Sequence, residues 1–550
     1  MRGGFVACLG GDPHLVERAA EGLRWHRGSP ATHRAGSLTI ACLSDPQQGP
    51  FVEARAGTAR LVHGASPAPL AELRRTATRY AAIEWDGRTL RAVRDALGQA
   101  PLFYRLLPNA LWLATEVGPL AALQTPKADP EALSAQAAFV PLDGRTGWCG
   151  IYRVGPGEEL TAAAADLRRE TKSTWDPADL FGRFRGSRDE ALAEFRDRLG
   201  RATHQCFEAG TGILLSGGLD SGAVAVTAPV QAQGQPHLVH VHFPTVPQTD
   251  ERRFAAAIAQ RIAAPLHLVA GRVSAWDIDA ELDLLSIPYN RFPYGIEDAA
   301  LAHLAGAGVG VALDGHDGDG VLGPRGVEWG EVLLQRDFAR FAAFGRAYGA
   351  RRALRGCASA FLPTAMRPPG WRRPTYMQGV ASYFTGALRE QILRDDIFRW
   401  RWPSKAWLAR QLQPLSPRAT VALEYKELEA ARHGIDLRHP FADRALVEFM
   451  ISLPCAIKSD PGRAKAFMED ALAGRFPALL DQRPKSDYRA IVRQRVDTPR
   501  CVERIRTSGV RLPGIDYARL FADADRQPEL FPLFLIVNLA RVHAFAQRSA

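Results

Sequence analysis

Apolar and polar positions follow two rhythms along the 550-residue chain, and the change falls near residue 187. Over roughly the first 180 residues, short apolar or alternating runs are punctuated by Gly, Pro and Asn. They predict strands over 37–43, 90–93, 102–107, 111–116, 150–154 and 158–161, with a turn at Pro108-Asn109. Helices are expected over 12–24 and 129–138. Beyond 187 the period lengthens. Leu192, Phe195 and Leu199 lie at i, i+3, i+7 in a helix over 188–208. Strands at 212–215, 237–243, 266–269 and 309–313 then alternate with helices from Ser221, over 250–263 and over 298–306. This is βαβ grammar and predicts a parallel sheet. Residues 325–430 read as a helical insertion rich in Arg, Phe and Trp, and helices continue to about 480.

Composition narrows the class without choosing a function. Hydrophobic residues make up 46% and charged residues 23%, ordinary for a globular protein. No run reaches the ~18–20 apolar residues of a membrane span, and the best, 530–537, is broken by Pro532. Residues 1–4 lack an apolar segment behind a basic one, so no secretory signal is expected. Seven scattered cysteines with no CxxC pair predict free thiols and a cytoplasmic location, not a disulfide scaffold or zinc ribbon. The net charge is +10, and all but seven of the 69 basic residues are arginine. Arginine suits carboxylates and phosphates; the charge permits nucleic-acid binding without requiring it.

Two segments carry chemistry. In the first, Leu215 ends an apolar strand and Ser216, Gly217, Gly218, Asp220 and Ser221 form a Ser-Gly-Gly turn into a helix. Glycines let backbone approach a ligand, and hydroxyls with helix N-terminal amides face an anion. The segment is a phosphate cradle distinct from the GxxxxGK[ST] loop, which is nowhere in the chain. The second, Asp314-Gly315-His316-Asp317-Gly318-Asp319-Gly320, follows a predicted strand and belongs beside the first at the ligand-binding end of a parallel sheet. It fails the register of a calcium loop. Weaker features are His237, His240 and His242, a tempting metal set without a third ligand on the strand face, and the basic-aromatic stretch 398–407.

Together these residues resemble the asparagine synthetase superfamily, of the ATP pyrophosphatase type, over nearly the whole chain. Residues 216–221 match its SGGLDS, Asp250-Glu251 its acidic pair, 314–320 its SGEGSDE segment and 434–443 its G-E-R-PF-D signature. The resemblance implies a glutaminase-like (Ntn-type) β-sandwich over 1–180. It also implies an ATP-dependent synthetase domain over 187–550 with a mainly helical C-terminal part. ATP would be bound by Leu215, Ser216, Gly217, Gly218, Asp220, Ser221, Asp314 and Gly315. Asp220 and Asp319 would hold Mg²⁺, and Lys485 would act in catalysis as the lysine of a loop over the site. His316 stands where asparagine synthetases have Glu and β-lactam synthetases Tyr. It is expected either to act as a base or to bind substrate. Arg2 stands where glutamine-hydrolysing members have their cysteine, so glutamine-derived ammonia is not expected.

The wording of 314–320 and of 483–489 is most similar to lasso peptide cyclases. That implies macrolactam closure between the α-amine of a core peptide and an Asp or Glu side chain, through an acyl-adenylate. A leader peptidase and a leader-recognition protein would be partners, and nucleic acid would not. β-Lactam synthetase and ammonia-dependent asparagine synthetase are the nearest alternatives. An RNA-modifying ATP pyrophosphatase is the alternative of another class.

Overall fold

A computed structural model describes the chain except residues 1–2, 24–28, 45–48, 141–143, 323–328, 335, 362–365, 367–378, 394–416, 461–462, 464, 483–487, 527–531 and 549–550. Lys485 and the 398–407 stretch therefore lie outside the described residues.

Two six-stranded sheets occupy the first part of the chain, and every strand pairing in them is antiparallel. Their inner faces meet in a core of Phe5, Leu38, Ile40, Leu61, Ile83, Trp85, Leu111 and Leu160. Helix Pro13–Ala20, N-capped by the Asp12 carboxylate, packs with Trp112 on the outer face of the first sheet. The strands Ala31–Ala35, Phe51–Arg55, Thr58–His63, Ala81–Trp85 and Arg169–Ser173 were not foreseen from the sequence. Arg169–Ser173 is exposed throughout and carries no apolar residue, so it has no hydrophobic period to read.

Helix Arg188–Cys206 opens with a capping box in which Ser187 and Glu190 satisfy each other's backbone amides. It lays Phe195 and Leu199 on the core of a third sheet. That sheet is parallel, with five strands, numbered in chain order Gly212–Leu214, His237–His242, Leu266–Ala270, Val311–Leu313 and Asp436–Arg438. Their spatial order is third, second, first, fourth, fifth. The order reverses between the first and fourth strands, where loops leave in opposite directions and open a crevice. Both chemistry-bearing segments emerge there. The helix after the first strand runs Leu219–Thr227, two residues earlier than the Ser221 start expected.

The sandwich and the parallel sheet are joined by buried ion pairs. Helix Pro417–Arg432 presents Glu424 to Arg94 at 2.9 Å and to Arg153 at 2.8 Å, and Arg94 and Glu424 are fully buried. Arg79 reaches Glu427 at 2.7 Å and Asp436 at 2.9 Å. The Gln99 amide donates to Ala442 O, and the Thr78 hydroxyl donates to Asp443. No helix among the described residues is long and apolar enough to cross a membrane.

Candidate functional site

The 216–221 turn is closed by its own hydroxyls. Ser221 Oγ accepts from Ser216 N at 3.1 Å and lies 2.9 Å from Ser216 Oγ, which accepts from Gly218 N at 3.2 Å. His240, buried in the neighbouring strand, bonds Leu215 O through Nδ1 at 2.8 Å. It therefore braces the end of the first strand and joins no metal cluster: no group of three or more His, Cys, Asp or Glu able to hold a metal occurs among the described residues. Glu251, also buried, accepts from Tyr488 Oη at 2.6 Å and abuts the turn at Gly217.

The second segment presses directly on the first. A Cβ on Gly315 would lie 2.4 Å from Ser221 N and 2.7 Å from Asp220 C, so only glycine lets the two loops touch. Asp314 is held by three donors: His316 N at 3.0 Å, His439 Nδ1 at 2.7 Å and Lys426 Nζ at 3.1 Å. Burial would raise its pKa, but His439 and Lys426 win and hold it well below the ordinary aspartate value. Lys426 also bonds Glu297 at 3.2 Å. The 434–443 segment thus contributes a strand, the His439 donor to Asp314 and the Asp443 cap of helix Arg444–Ser452.

Asp220 and Asp319, expected to hold Mg²⁺, both lie against one lysine ammonium. Lys465 Nζ lies 2.5 Å from Asp220 Oδ2 and 2.7 Å from Asp319 Oδ1. The pair suits Mg²⁺, a hard cation often bound by one or two carboxylates with the remainder from phosphates and water. Sequence reasoning passed over Lys465. Its only signal was rarity, as one of seven lysines.

His316 is kept neutral, because burial and then the Lys426 charge push its pKa down to about 3. Its Nε2 lies 3.8 Å from Asp317 Oδ1. A base so weak in this arrangement is poorly matched to proton abstraction near neutrality. Asp317 was also passed over. It holds a left-handed backbone, φ +66°, at the position where the SGEGSDE segment carries glycine. Burial, reinforced by Asp314, pushes its carboxyl up to about 7.

Cys8, in the first strand of the sandwich, is buried with its thiol pushed up to about 12, which leaves no reactive thiolate there.

Comparison with known proteins agrees with this geometry. The asparagine synthase family model matches residues 194–510, taking in the parallel sheet and both loops. Amidase chry2 of Gibberella zeae is 32% identical over 154 residues, 26% of this chain and 22% of that protein. Asparagine synthetase [glutamine-hydrolyzing] 2 of Bacillus subtilis is 29% identical over 195 residues, covering 32% and 25%. Carboxyethyl-arginine beta-lactam-synthase of Streptomyces clavuligerus is 30% identical over 152 residues, covering 27% and 28%. The chain thus spans about a quarter of the length of these relatives. With the family model covering more than half of it, the chain belongs to the asparagine synthase family.

Proposed function

We propose that the protein forms an amide bond at the expense of ATP, cleaving it to AMP and pyrophosphate through an acyl-adenylate. The observation that carries this reading is the meeting of the 216–221 and 314–320 loops at the sheet's switch point, with Asp220 and Asp319 on a shared cation. The hydroxyls of Ser216 and Ser221 and the amides of Gly217 and Gly218 cradle the pyrophosphate. Leu215, Asp314 and Gly315 border the nucleotide. Asp220 and Asp319 would hold Mg²⁺, which would supply charge neutralisation at the phosphates. The substrate carboxylate attacks the α-phosphorus, the α–β bond breaks, and an amine then displaces AMP. Lys485 stabilises charge in these steps, and Lys465 holds Asp220 and Asp319 together where the metal would bind. His316, neutral, binds or positions substrate rather than accepting the amine's proton.

The finer reading is lasso peptide macrolactam closure, joining a core peptide's α-amine to an Asp or Glu side chain. It is supported by the 314–320 and 483–489 wording and by a sandwich whose first-strand cysteine is an inert buried thiol. A core peptide cut from its leader would be the substrate, delivered by a leader peptidase and a leader-recognition protein.

The test is a mass measurement. A core peptide with ATP and Mg²⁺ should lose one water and yield one AMP per product. Lys485→Ala should abolish product, lowering turnover by about 10²–10³-fold or more, while ATP still binds. Amidation of free aspartate by ammonia, or closure of a small β-amino acid instead of a peptide, would overturn the finer reading.

A further inference from the structure

A cavity of about 840 Å³ opens beyond the carboxyl end of strand Leu266–Ala270, with no residue of either nucleotide loop in its wall. That is at the upper end of small-ligand pockets. Its carboxylates are already answered. Glu429 pairs with Arg291 at 3.2 Å, Glu281 with Arg541 at 2.5 Å, and Asp298 with His433 at 2.9 Å. Asp283 pairs with Arg548, and Asp277 caps helix Ile278–Leu285. Two lining guanidiniums, Arg272 and Arg495, make no ion pair among the described residues.

Arg495 is built into the wall. It donates to Tyr294 O at 3.1 Å, its buried Nε has no hydrogen-bond partner among the described residues, and it packs over Gly295, where a Cβ would collide with its Nη1. Gly295 is left-handed, φ +71°, so glycine is required there twice over. Burial and then the neighbouring Arg291 charge lower the Arg495 pKa, against the opposing pull of Asp298, Glu281 and Glu429. A chain of contacts links the wall of the cavity to the nucleotide loops. The Tyr294 and Tyr488 rings are 6.4 Å apart, Tyr488 bonds Glu251, and Glu251 abuts Gly217. On the other side, Asp298 follows Glu297, which Lys426 joins to Asp314.

We propose that this cavity holds a carboxylate of the peptide substrate away from the adenylation centre, with Arg495 as its main cation and Arg272 at the exposed rim. Trp276, Pro293 and Leu284 offer apolar surface for the flanking side chains. The identity of the ligand as substrate rests on the ligase reading; the binding itself needs no ATP.

The test is calorimetric titration of the full chain with N-acetyl-Leu-Gly-Leu as the free acid, its carboxamide, and acetate. The free acid should bind, and the carboxamide and acetate should each bind at least about tenfold more weakly, as loss of charge-assisted hydrogen bonds or of the peptide body implies. Arg495→Gln should cost the free acid at least about tenfold, and Arg495→Lys should restore part of that loss. Should R495Q not fold, Arg272→Gln carries the test, with a loss of about threefold or more expected for a rim charge. No binding of the free acid, equal binding of acid and carboxamide, equal binding of acetate, or indifference to these substitutions overturns the proposal. AMP formation without Arg495-dependent binding sinks the cavity alone. Arg495-dependent binding without AMP formation sinks the ligase reading alone.

Discussion

At the scale of single residues, the site is organised around charges that buried neighbours hold in place. Asp314 stays ionised because His439 and Lys426 face it, and the Lys426 charge helps keep His316 neutral. Replacing His316 by Ala should therefore slow product formation without removing an ionisation from the pH–rate profile between pH 6 and 9. Loss of a limb in that range would restore His316 as the base. Asp317 pays for its position with a left-handed backbone and a buried carboxyl, both of which glycine would relieve. Asp317→Gly should raise thermal stability by about 1 kcal/mol while lowering turnover. A fall in both would mean that Asp317 supports the fold rather than the chemistry. Sequence reasoning singled out Asp220, Ser221, Asp314 and Asp319 because contiguous motifs carry them. It passed over Lys465 and Asp317 because one is a lone lysine and the other is betrayed only by its φ.

At the scale of elements, two loops and one helix do most of the positioning. The 216–221 and 314–320 loops meet because Gly315 leaves no side chain between them. Gly315→Ala should drive them apart and weaken ATP binding by about tenfold or more, as expected when a well-placed set of phosphate donors shifts. Unchanged ATP affinity, measured by calorimetry, would show that the cradle does not need this contact. The βαβ alternation was legible because each core strand is bounded by turn chemistry and followed by an amphipathic helix. The fifth strand, Asp436–Arg438, was not. It has three residues with charged ends, and its apolar content is Leu437 alone. Tertiary partners make it a strand: Asp436 is answered by Arg79 from the sandwich and by Arg438 beside it. The long-range pair with Arg79 leaves no local period in the sequence.

At the scale of the whole molecule, the sandwich and the parallel sheet are bolted together by arginines of the sandwich. Arg94 sits on Glu424, with Arg153 from a nearby strand, and Gln99 reaches Ala442. Although burial opposes it, Arg153 and Arg94 hold the Glu424 carboxyl below its usual range, and Arg79 does the same for Asp436. Because the folded pKa values are depressed, the stability these pairs give is present above the unfolded values near ~4 and is lost as pH falls through the folded ones. Acid titration should thus lower the melting temperature below about pH 4. Arg94→Ala, which strands a buried carboxylate, should cost about 3–5 kcal/mol at pH 7 and flatten that acid limb. An unchanged acid limb would place the acid-sensitive groups elsewhere. All of this machinery serves one claim, that a carboxylate is joined to AMP before an amine displaces it. The most direct test uses a core peptide with ¹⁸O in its acceptor side-chain carboxylate, turned over with ATP and Mg²⁺. One ¹⁸O should appear in the AMP released, stoichiometric with the dehydrated peptide. Unlabelled AMP, or ADP and phosphate in its place, would contradict the account.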